Sequence, residues 1–319
     1  MTEHDQIDFT VVLPVYFNED VLETVMEDIS REVLEPLGHL ASEVIFVDDG
    51  SSDGSLNVLL GLQHRQPSRV KVIALTRNFG QVNAIEAGLR HARGQVVVVM
   101  SADGQDPPSL IPKMLEAHRE GHEVVICARE GREESWYRRI TSRFFYSLIR
   151  RLSFPTMPPG GFDCVSVSRK ALRQLLRLHE AHSFFQGRIL WMGFEPFLIP
   201  YQRQGTGGCS RWTFAKKLTY LIDGVLSYSY LPLRAISLTG ILIALLGFSY
   251  ALFILIMKLL GDVPIEGWAP IMIVVLSLSG IQMLMIGVLG EYLWRTLAQA
   301  RGRPPYIIDR IYEDNRGNP

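Results

Sequence analysis

The chain has 319 residues, which at about 150 residues per domain is enough for two structural units and a sizeable core. Its 32 lysines and arginines balance 33 aspartates and glutamates, so the net charge of −1 gives no electrostatic basis for binding nucleic acid. A hydrophobic share of 47% excludes wholesale disorder, and three scattered cysteines are too few for a disulfide framework or a zinc cluster.

Short apolar segments rich in β-branched residues alternate with helix-like segments in the first part of the chain. They predict helices such as 20–34 and 81–92, and strands at 9–15, 43–47, 70–75, 95–100 and 123–127. Because these strands are continuously apolar, we expect an α/β fold, a mainly parallel sheet with helices on both faces. The opening MTEHDQIDFT lacks the basic and apolar regions of a signal peptide, so none is expected. In such sheets, ligands bind beyond the carboxyl ends of the strands.

The first strand runs into the segment PVYFNE, which contains no glycine. Both the dinucleotide-binding fingerprint and the P-loop are therefore absent at this position, which argues against the usual NAD and ATP sites. Tyr16 and Phe17 are candidates for stacking on a nucleotide base. The alternative is an aromatic side chain that only packs in the core at the strand end.

The second strand ends in two adjacent carboxylates, Asp48 and Asp49. At a buried sheet edge such groups repel each other and lose hydration unless something donates hydrogen bonds to them. The N3–H of uracil and the hydroxyls of ribose are donors of this kind. Ser52 or Asp53 alternatively caps the following helix, but two carboxylates are more than a cap requires.

The fourth strand is followed by SADGQDPP. We predict Pro107 and Pro108 in the first turn of the next helix, with Asp106 as its N-cap. This assignment leaves Asp103 and Gln105 as side-chain oxygens without a structural role. Hard oxygen ligands suit Mg²⁺ or Mn²⁺ held between one carboxylate and a substrate diphosphate.

Two long segments near the carboxyl end, 235–257 and 267–290, contain no charged residue. Each is long enough to supply the roughly 20 apolar residues that cross a bilayer, and neither has a polar stripe. The link between them has a single basic residue, Lys258, whereas the outer flanks carry Lys216, Lys217, Arg234, Arg295, Arg301, Arg303 and Arg310. This asymmetry predicts two transmembrane helices with both ends of the pair in the cytoplasm.

The motifs PVYFNE, VDDGSSD, TRNFGQ and ADGQDPP, in this order and followed by paired apolar spans, resemble a family 2 glycosyltransferase with the GT-A fold. Within it the chain is similar to the polyisoprenyl-phosphate glycosyltransferases, of the bactoprenol glucosyltransferase and dolichol-phosphate mannose synthase type, over nearly its whole length. The resemblance implies an inverting transfer of a hexose, with UDP-glucose as the expected donor, to undecaprenyl phosphate or another polyprenyl phosphate.

The same resemblance implies roles for individual residues. The expected metal ligands for Mg²⁺ or Mn²⁺ are Asp103 and Gln105, although Ser101 stands where the family's D-x-D-x-Q motif has its first acidic residue. The residues expected to hold the donor nucleotide are Pro14, Tyr16, Glu19, Asp48 and Asp49.

Asp163 matches the family's acidic residue near the acceptor. A phosphate monoester has a second pKa of about 6, so near pH 7 it is largely a dianion that needs no general base. We therefore expect Asp163 mainly to orient both the acceptor oxygen and three cationic residues, with proton removal mattering only at acidic pH. Those residues are Arg129, Arg132 and Arg211. The arginine- and aromatic-rich segment after the fifth strand is predicted to be an interfacial helix, or alternatively a solvated surface helix.

We expect an inner-membrane protein with its catalytic part and both termini in the cytoplasm. The family resemblance implies a homo-tetramer. Two other functions remain open. A processive polysaccharide synthase would carry Q-x-x-R-W, which the sequence from Gln186 to Trp191 does not match, and an inactive nucleotide-sugar-binding scaffold would release no nucleotide. The predicted segments are a GT-A domain at 1–212, an amphipathic juxtamembrane helix at 213–234, spans at 235–260 and 267–291, and a tail at 292–319.

Overall fold

A computed structural model describes residues 7–129, 147, 150–151, 154–159, 161–178, 184–202, 231–260 and 268–314. The chain divides into two compact units. Unit 1 comprises Met1–Gly224 together with Pro304–Pro319, and unit 2 comprises Val225–Arg303.

Unit 1 is built on a mixed sheet to which the described residues contribute eight strands in the order β7-β5-β6-β4-β1-β2-β3-β8. The pairs β1–β2, β1–β4, β2–β3 and β5–β7 are parallel, and β3–β8, β4–β6 and β5–β6 are antiparallel. The strands are β1 Phe9–Val15, β2 Ser42–Asp48, β3 Val70–Leu75, β4 Val96–Val99, β5 Val124–Arg129, β6 Val165–Ser168, β7 Phe197–Tyr201 and β8 Ile308–Tyr312.

Six helices of unit 1 fall within the described residues, and a π-helical turn, Ser30–Leu34, extends the first of them. They are α1 Leu22–Ile29, α2 Ser55–Arg65, α3 Gln81–His91, α4 Leu110–Arg119, α5 Arg169–Leu175 and α6 Phe185–Trp191. Helices and sheet enclose a core whose largest fully buried side chains include Phe9, Phe46, Leu59 and Ile111. Cys127 and Cys164 are buried free thiols.

The α/β architecture predicted from the sequence is confirmed, and all five predicted strands are present. The predicted start of the fourth helix is wrong: α4 begins at Leu110 after the N-cap position Ser109, so Asp106 does not cap it. Strands β6, β7 and β8 were not predicted. Strand β8 lies in the segment assigned to a tail; its backbone pairs with β3 while most of its side chains stay exposed, so it lacks the apolar pattern of a buried strand.

Unit 2 contains two long helices, α7 Leu231–Leu260 and α8 Trp268–Ala300. Within them, Leu233–Met257 and Ile273–Ala300 are long and apolar enough to cross a membrane. Their large apolar side chains are exposed, in contrast to those of strands β1 to β6 in unit 1. The two candidate membrane-spanning helices expected from the sequence are therefore present, and they indicate a membrane-associated protein.

One edge of the sheet collects the chain segments that carry the predicted site residues. Strands β1 to β5 and β7 end at this edge, because β4 and β5 both run antiparallel to β6. Strand β6 begins there, directly after Asp163 and Cys164, and its Val165 lies between Val99 of β4 and Ile126 of β5. Strand β8 also begins there, since Ile308 pairs with Leu75 at the end of β3.

Candidate active site

The loops after β1 and β2 are joined to each other by hydrogen bonds. The backbone N–H of Phe17 donates to the Ser51 hydroxyl at 3.2 Å, and that of Gly54 donates to the Glu19 carboxylate at 2.8 Å. Phe17 has a φ of 57°, which is uncommon for a residue with a side chain. Its ring packs edge-on against the Tyr16 ring, with the two ring centroids 4.5 Å apart. The exposed Tyr16 ring and the Glu19 carboxylate are thus fixed beside the end of β2.

Asp48 and Asp49 are almost fully buried, and part of their hydrogen-bonding need is met by the chain itself. Asp48 accepts from the backbone N–H of Ser51. The Asp49 carboxylate accepts from the N–H groups of Phe79 at 2.7 Å and Gly80 at 2.9 Å. Burial raises the pKa of both carboxyls above its ordinary value, and these hydrogen bonds oppose that rise. Asp49 therefore holds the loop after β3 at the site edge.

The loop after β3 also lies in close backbone contact with the end of β2. Gly50 has a φ of 67°, and a Cβ at its position would overlap the backbone of Arg77. Only glycine suits both conditions without strain. The Arg77 guanidinium lies 4.2 Å above the Phe79 ring, and its side chain is exposed at the site edge.

The loop after β4 presents Asp103 and Gln105, both partly exposed. The backbone N–H of Gln105 donates to Asp103 Oδ1 at 3.1 Å in a turn that Gly104 completes with a φ of 69°. These residues fit Mg²⁺ or Mn²⁺, which take carboxylate and amide oxygens together with substrate phosphates. No group of three or more His, Cys, Asp and Glu side chains able to hold a metal occurs in the described part of the chain. The fit thus depends on phosphate oxygens as further ligands.

On the other side of β4, Arg129 and Asp163 form an ion pair through Arg129 Nη2 and Asp163 Oδ2. Strand β5 positions the arginine at its carboxyl end, and the aspartate lies just before β6. The Arg129 side chain is 11% exposed, whereas that of Asp163 is 40% exposed. Burial lowers the pKa of Arg129, but the charges of Asp163 and Asp106 and the hydrogen bond with Tyr201 together raise it overall, so the guanidinium stays charged.

Tyr201 and Asp106 extend this pair into a chain of hydrogen bonds. Tyr201 pairs in register with Arg129 across β7 and β5. Its hydroxyl accepts from Arg129 Nε at 3.2 Å and donates to Asp106 Oδ1 at 2.6 Å. Asp106, once expected to cap a helix, is 2% exposed and follows Gln105 directly in sequence.

The structure therefore brings most predicted site residues to one edge. Arg132 and Arg211 lie outside the described residues, as do the predicted arginine- and aromatic-rich helix and the juxtamembrane helix. Sequence reasoning gave Tyr201 no role and Asp106 a wrong one. The role of Asp106 could have been suspected from the sequence, because Asp106 directly follows the motif residue Gln105. The sequence around Tyr201 contains no comparable motif, because a tyrosine at the end of a short strand is not distinctive.

Residues 10–176 match the family described as glycosyl transferase family 2. The chain belongs to that family. The match begins at the start of β1 and ends just beyond α5, so it includes the loops after β1, β2 and β4 as well as Arg129 and Asp163. This family 2 protein is a glycosyltransferase.

Relatives of this family 2 glycosyltransferase match along nearly its full length. The uncharacterized glycosyltransferase YkcC of Bacillus subtilis is 36% identical, covering 98% of this chain and 96% of its own. The undecaprenyl-phosphate 4-deoxy-4-formamido-L-arabinose transferase of Edwardsiella ictaluri is 33% identical, covering 99% and 98%. The bactoprenol glucosyl transferase of Shigella phage SfII is 32% identical, covering 97% and 99%.

Proposed function

We propose that the protein transfers a hexose from a UDP-sugar, with UDP-glucose as the expected donor, to undecaprenyl phosphate or a related polyprenyl phosphate, with inversion. The observation that carries the proposal is the Arg129–Asp163 pair at the sheet edge that also presents Asp103 and Gln105. A cation suited to a phosphate acceptor and oxygens suited to a metal–diphosphate complex thus share one edge. The names of two full-length relatives support a lipid phosphate acceptor.

In this proposal the donor nucleotide lies over the ends of β1 and β2. Pro14, Tyr16 and Glu19 line it on one side, and Asp48 accepts hydrogen bonds from the uracil or ribose. Asp49 acts through the loop after β3, because Phe79 and Gly80 already donate to both of its oxygens.

Asp103 and Gln105 would hold Mg²⁺ or Mn²⁺ against the donor diphosphate. When bound, the ion would act as a Lewis acid that offsets negative charge on the leaving diphosphate. Since these two residues are too few to complete a coordination sphere, we expect metal binding to depend on the donor.

The chemical step follows from the charge of the acceptor. An oxygen of the phosphate dianion forms a bond to the anomeric carbon of the sugar while the bond from that carbon to the diphosphate breaks. The electron pair of the broken bond leaves with UDP, and attack from the opposite face inverts the anomeric centre. No proton has to be removed, because the dianion is already nucleophilic. Arg129 attracts the dianion, with Arg132 and Arg211 as further candidates, and Asp163 orients Arg129.

We further propose an inner-membrane location with unit 1 and both termini in the cytoplasm. Unit 1 contains chain on both sides of unit 2 in sequence, Met1–Gly224 and Pro304–Pro319, so both ends of the helix pair lead into the same folded unit. A folded unit lies on one side of a membrane, and the distribution of basic residues points to the cytoplasmic side. Light scattering of the detergent-solubilised chain would test the tetramer that the family resemblance implies.

The decisive experiment incubates the full chain, in nanodiscs that contain undecaprenyl phosphate, with Mg²⁺ or Mn²⁺ and a panel of UDP-sugars. We expect one donor to give a lipid whose mass increases by a single hexose unit. Asp309→Asn, at an exposed position on β8, serves as the control for carboxylate-to-amide changes in unit 1. A polymeric product would instead support the processive synthase, and no lipid product with any donor would contradict the proposal.

A further inference from the structure

Tyr201 joins two parts of the site that lie on different strands and far apart in sequence. Its hydroxyl stands between Arg129, paired with Asp163, and Asp106, which follows the metal-ligand candidate Gln105. From this geometry we infer that Tyr201 is a positioning residue that fixes the Arg129 guanidinium for the acceptor phosphate. The inference rests on the proposed function.

The hydroxyl is suited to this role because both of its hydrogen-bonding functions are used. It donates to Asp106 Oδ1 at 2.6 Å and accepts from Arg129 Nε at 3.2 Å. Burial and the nearby charge of Asp106 raise the pKa of Tyr201 far above its ordinary value, against the opposing effect of Arg129. The phenol therefore keeps its proton at any working pH and acts as a fixed hydrogen-bonding group, with no part in proton transfer.

Side-chain burial shows why Arg129 needs such an anchor. Its guanidinium extends from a nearly buried position towards the more exposed Asp163, which leaves that end of the pair open to solvent. An ion pair with one exposed partner is held weakly by itself, because water screens it. Tyr201 is 6% exposed and Asp106 is 2% exposed, so the bond at Nε belongs to the rigid interior. The Nη2 end of the guanidinium is then directed to the site edge.

Tyr201→Phe removes the hydroxyl and keeps the buried ring, so it tests the bond and not the packing. Using the full chain with undecaprenyl phosphate and the active UDP-sugar, we expect the acceptor KM to rise about tenfold, the loss of one hydrogen bond to a charged group. The donor KM should stay within about twofold of wild type. Tyr312→Phe, on β8 at the opposite end of the sheet, is the matched control and should change neither value.

A second variant shows whether Tyr201 acts through Arg129. Arg129→Lys keeps the positive charge and loses the Nε–H, so in that background Tyr201→Phe should leave the acceptor KM unchanged. A further tenfold rise there would overturn the inference, as would equal increases in both KM values with a lowered Tm. An inactive wild type would contradict the proposed function itself. An active wild type whose acceptor KM is the same as that of Tyr201→Phe would contradict only the role of Tyr201.

Discussion

The two halves of the site edge, which we propose to bind the donor and the acceptor, are held in place by different kinds of bond. On the donor half, at the ends of β1, β2 and β3, backbone N–H groups donate to carboxylates and hydroxyls, and Gly50 permits close backbone contact. On the acceptor half, at β5, β6 and β7, side chains bond to side chains, from Asp106 through Tyr201 and Arg129 to Asp163. Substitutions should therefore disturb loop shape in the donor half and side-chain direction in the acceptor half.

A buried ion pair joins a helix that follows β3, in the donor half, to a helix that precedes β7, in the acceptor half. Glu86 of α3 and Arg188 of α6 pair at 2.8 Å, with side chains 8% and 2% exposed. Arg188 also donates to the carbonyls of Leu175 and Leu178. Burial raises the pKa of Glu86, but the charge and hydrogen bond of Arg188, with help from Arg90, lower it overall.

Glu86→Ala should give the largest effect on stability, because it leaves a buried guanidinium without its counter-charge. The expected loss is about 3–5 kcal/mol, which corresponds to a Tm lowered by on the order of 10 °C. Thermal unfolding of the detergent-solubilised full chain measures it. The same change in the exposed pair of Glu23 and Arg65 should cost less than about 1 kcal/mol.

The difference in stability between wild type and Glu86→Ala should change with pH in a definite direction. A carboxyl with a lowered pKa stabilises the folded state above its unfolded pKa, and that contribution is lost as pH falls through the folded value. The gap between wild type and Glu86→Ala should therefore be full near neutral pH and narrow in acid. A gap that widened in acid, or an effect no larger than that of Glu23→Ala, would show that the pair does not stabilise the protein.

Asp103→Asn should produce the largest loss of turnover, about a hundredfold or more, if this carboxylate holds the divalent ion on the donor diphosphate. The loss should be partly recovered by added Mn²⁺, and Ser101→Asp should tighten metal binding. Asp309→Asn should keep full activity under the same conditions. Undiminished turnover of Asp103→Asn in the presence of chelator would rule out the assignment.

The sequence predicted the donor half better than the acceptor half for a physical reason. Donor-half contacts join the loops after β1, β2 and β3, three strands that were predicted: Glu19 and Gly54 are 35 positions apart, and Asp49 and Phe79 are 30 apart. Acceptor-half contacts depend on strand order: Arg129 and Tyr201 are 72 positions apart, and Tyr201 and Asp106 are 95 apart. Only the pairing of β5 with β7 makes them neighbours, and β7 was not predicted.

Gly50→Ala tests whether loop shape controls the donor half. The new Cβ would collide with the backbone of Arg77, so the loop held by Asp49 must move. We expect the donor KM to rise about tenfold while the acceptor KM changes little. A tenfold rise corresponds to the loss of about 1.4 kcal/mol of donor binding energy, as expected for one displaced contact. Gly193→Ala is the matched control: its φ of 75° is close to that of Gly50, but its Cβ would meet open space and it has no role in the site. A similar rise in the donor KM for Gly193→Ala would mean that the strain of a left-handed alanine, and not the close approach to Arg77, is responsible.

Asp163→Asn is expected to have a smaller effect, and its pH dependence identifies its role. The amide keeps the shape of the side chain but loses the charge that orients Arg129. If Asp163 only orients, turnover should fall about tenfold, the cost of one charge-assisted bond. Because the acceptor phosphate is a dianion above its second pKa of about 6, that loss should stay constant from there to about pH 8.5.

A general base would behave differently in the same experiment. The defect of Asp163→Asn would then be large near pH 7 and would shrink as rising pH removes the proton without help. Arg129 does not complicate the comparison, because its pKa is raised above an already high value and its charge is constant throughout. Tyr201→Phe should give a profile parallel to that of Asp163→Asn if both residues act by directing Arg129, so a defect that depends on pH in one variant and not in the other would separate their roles.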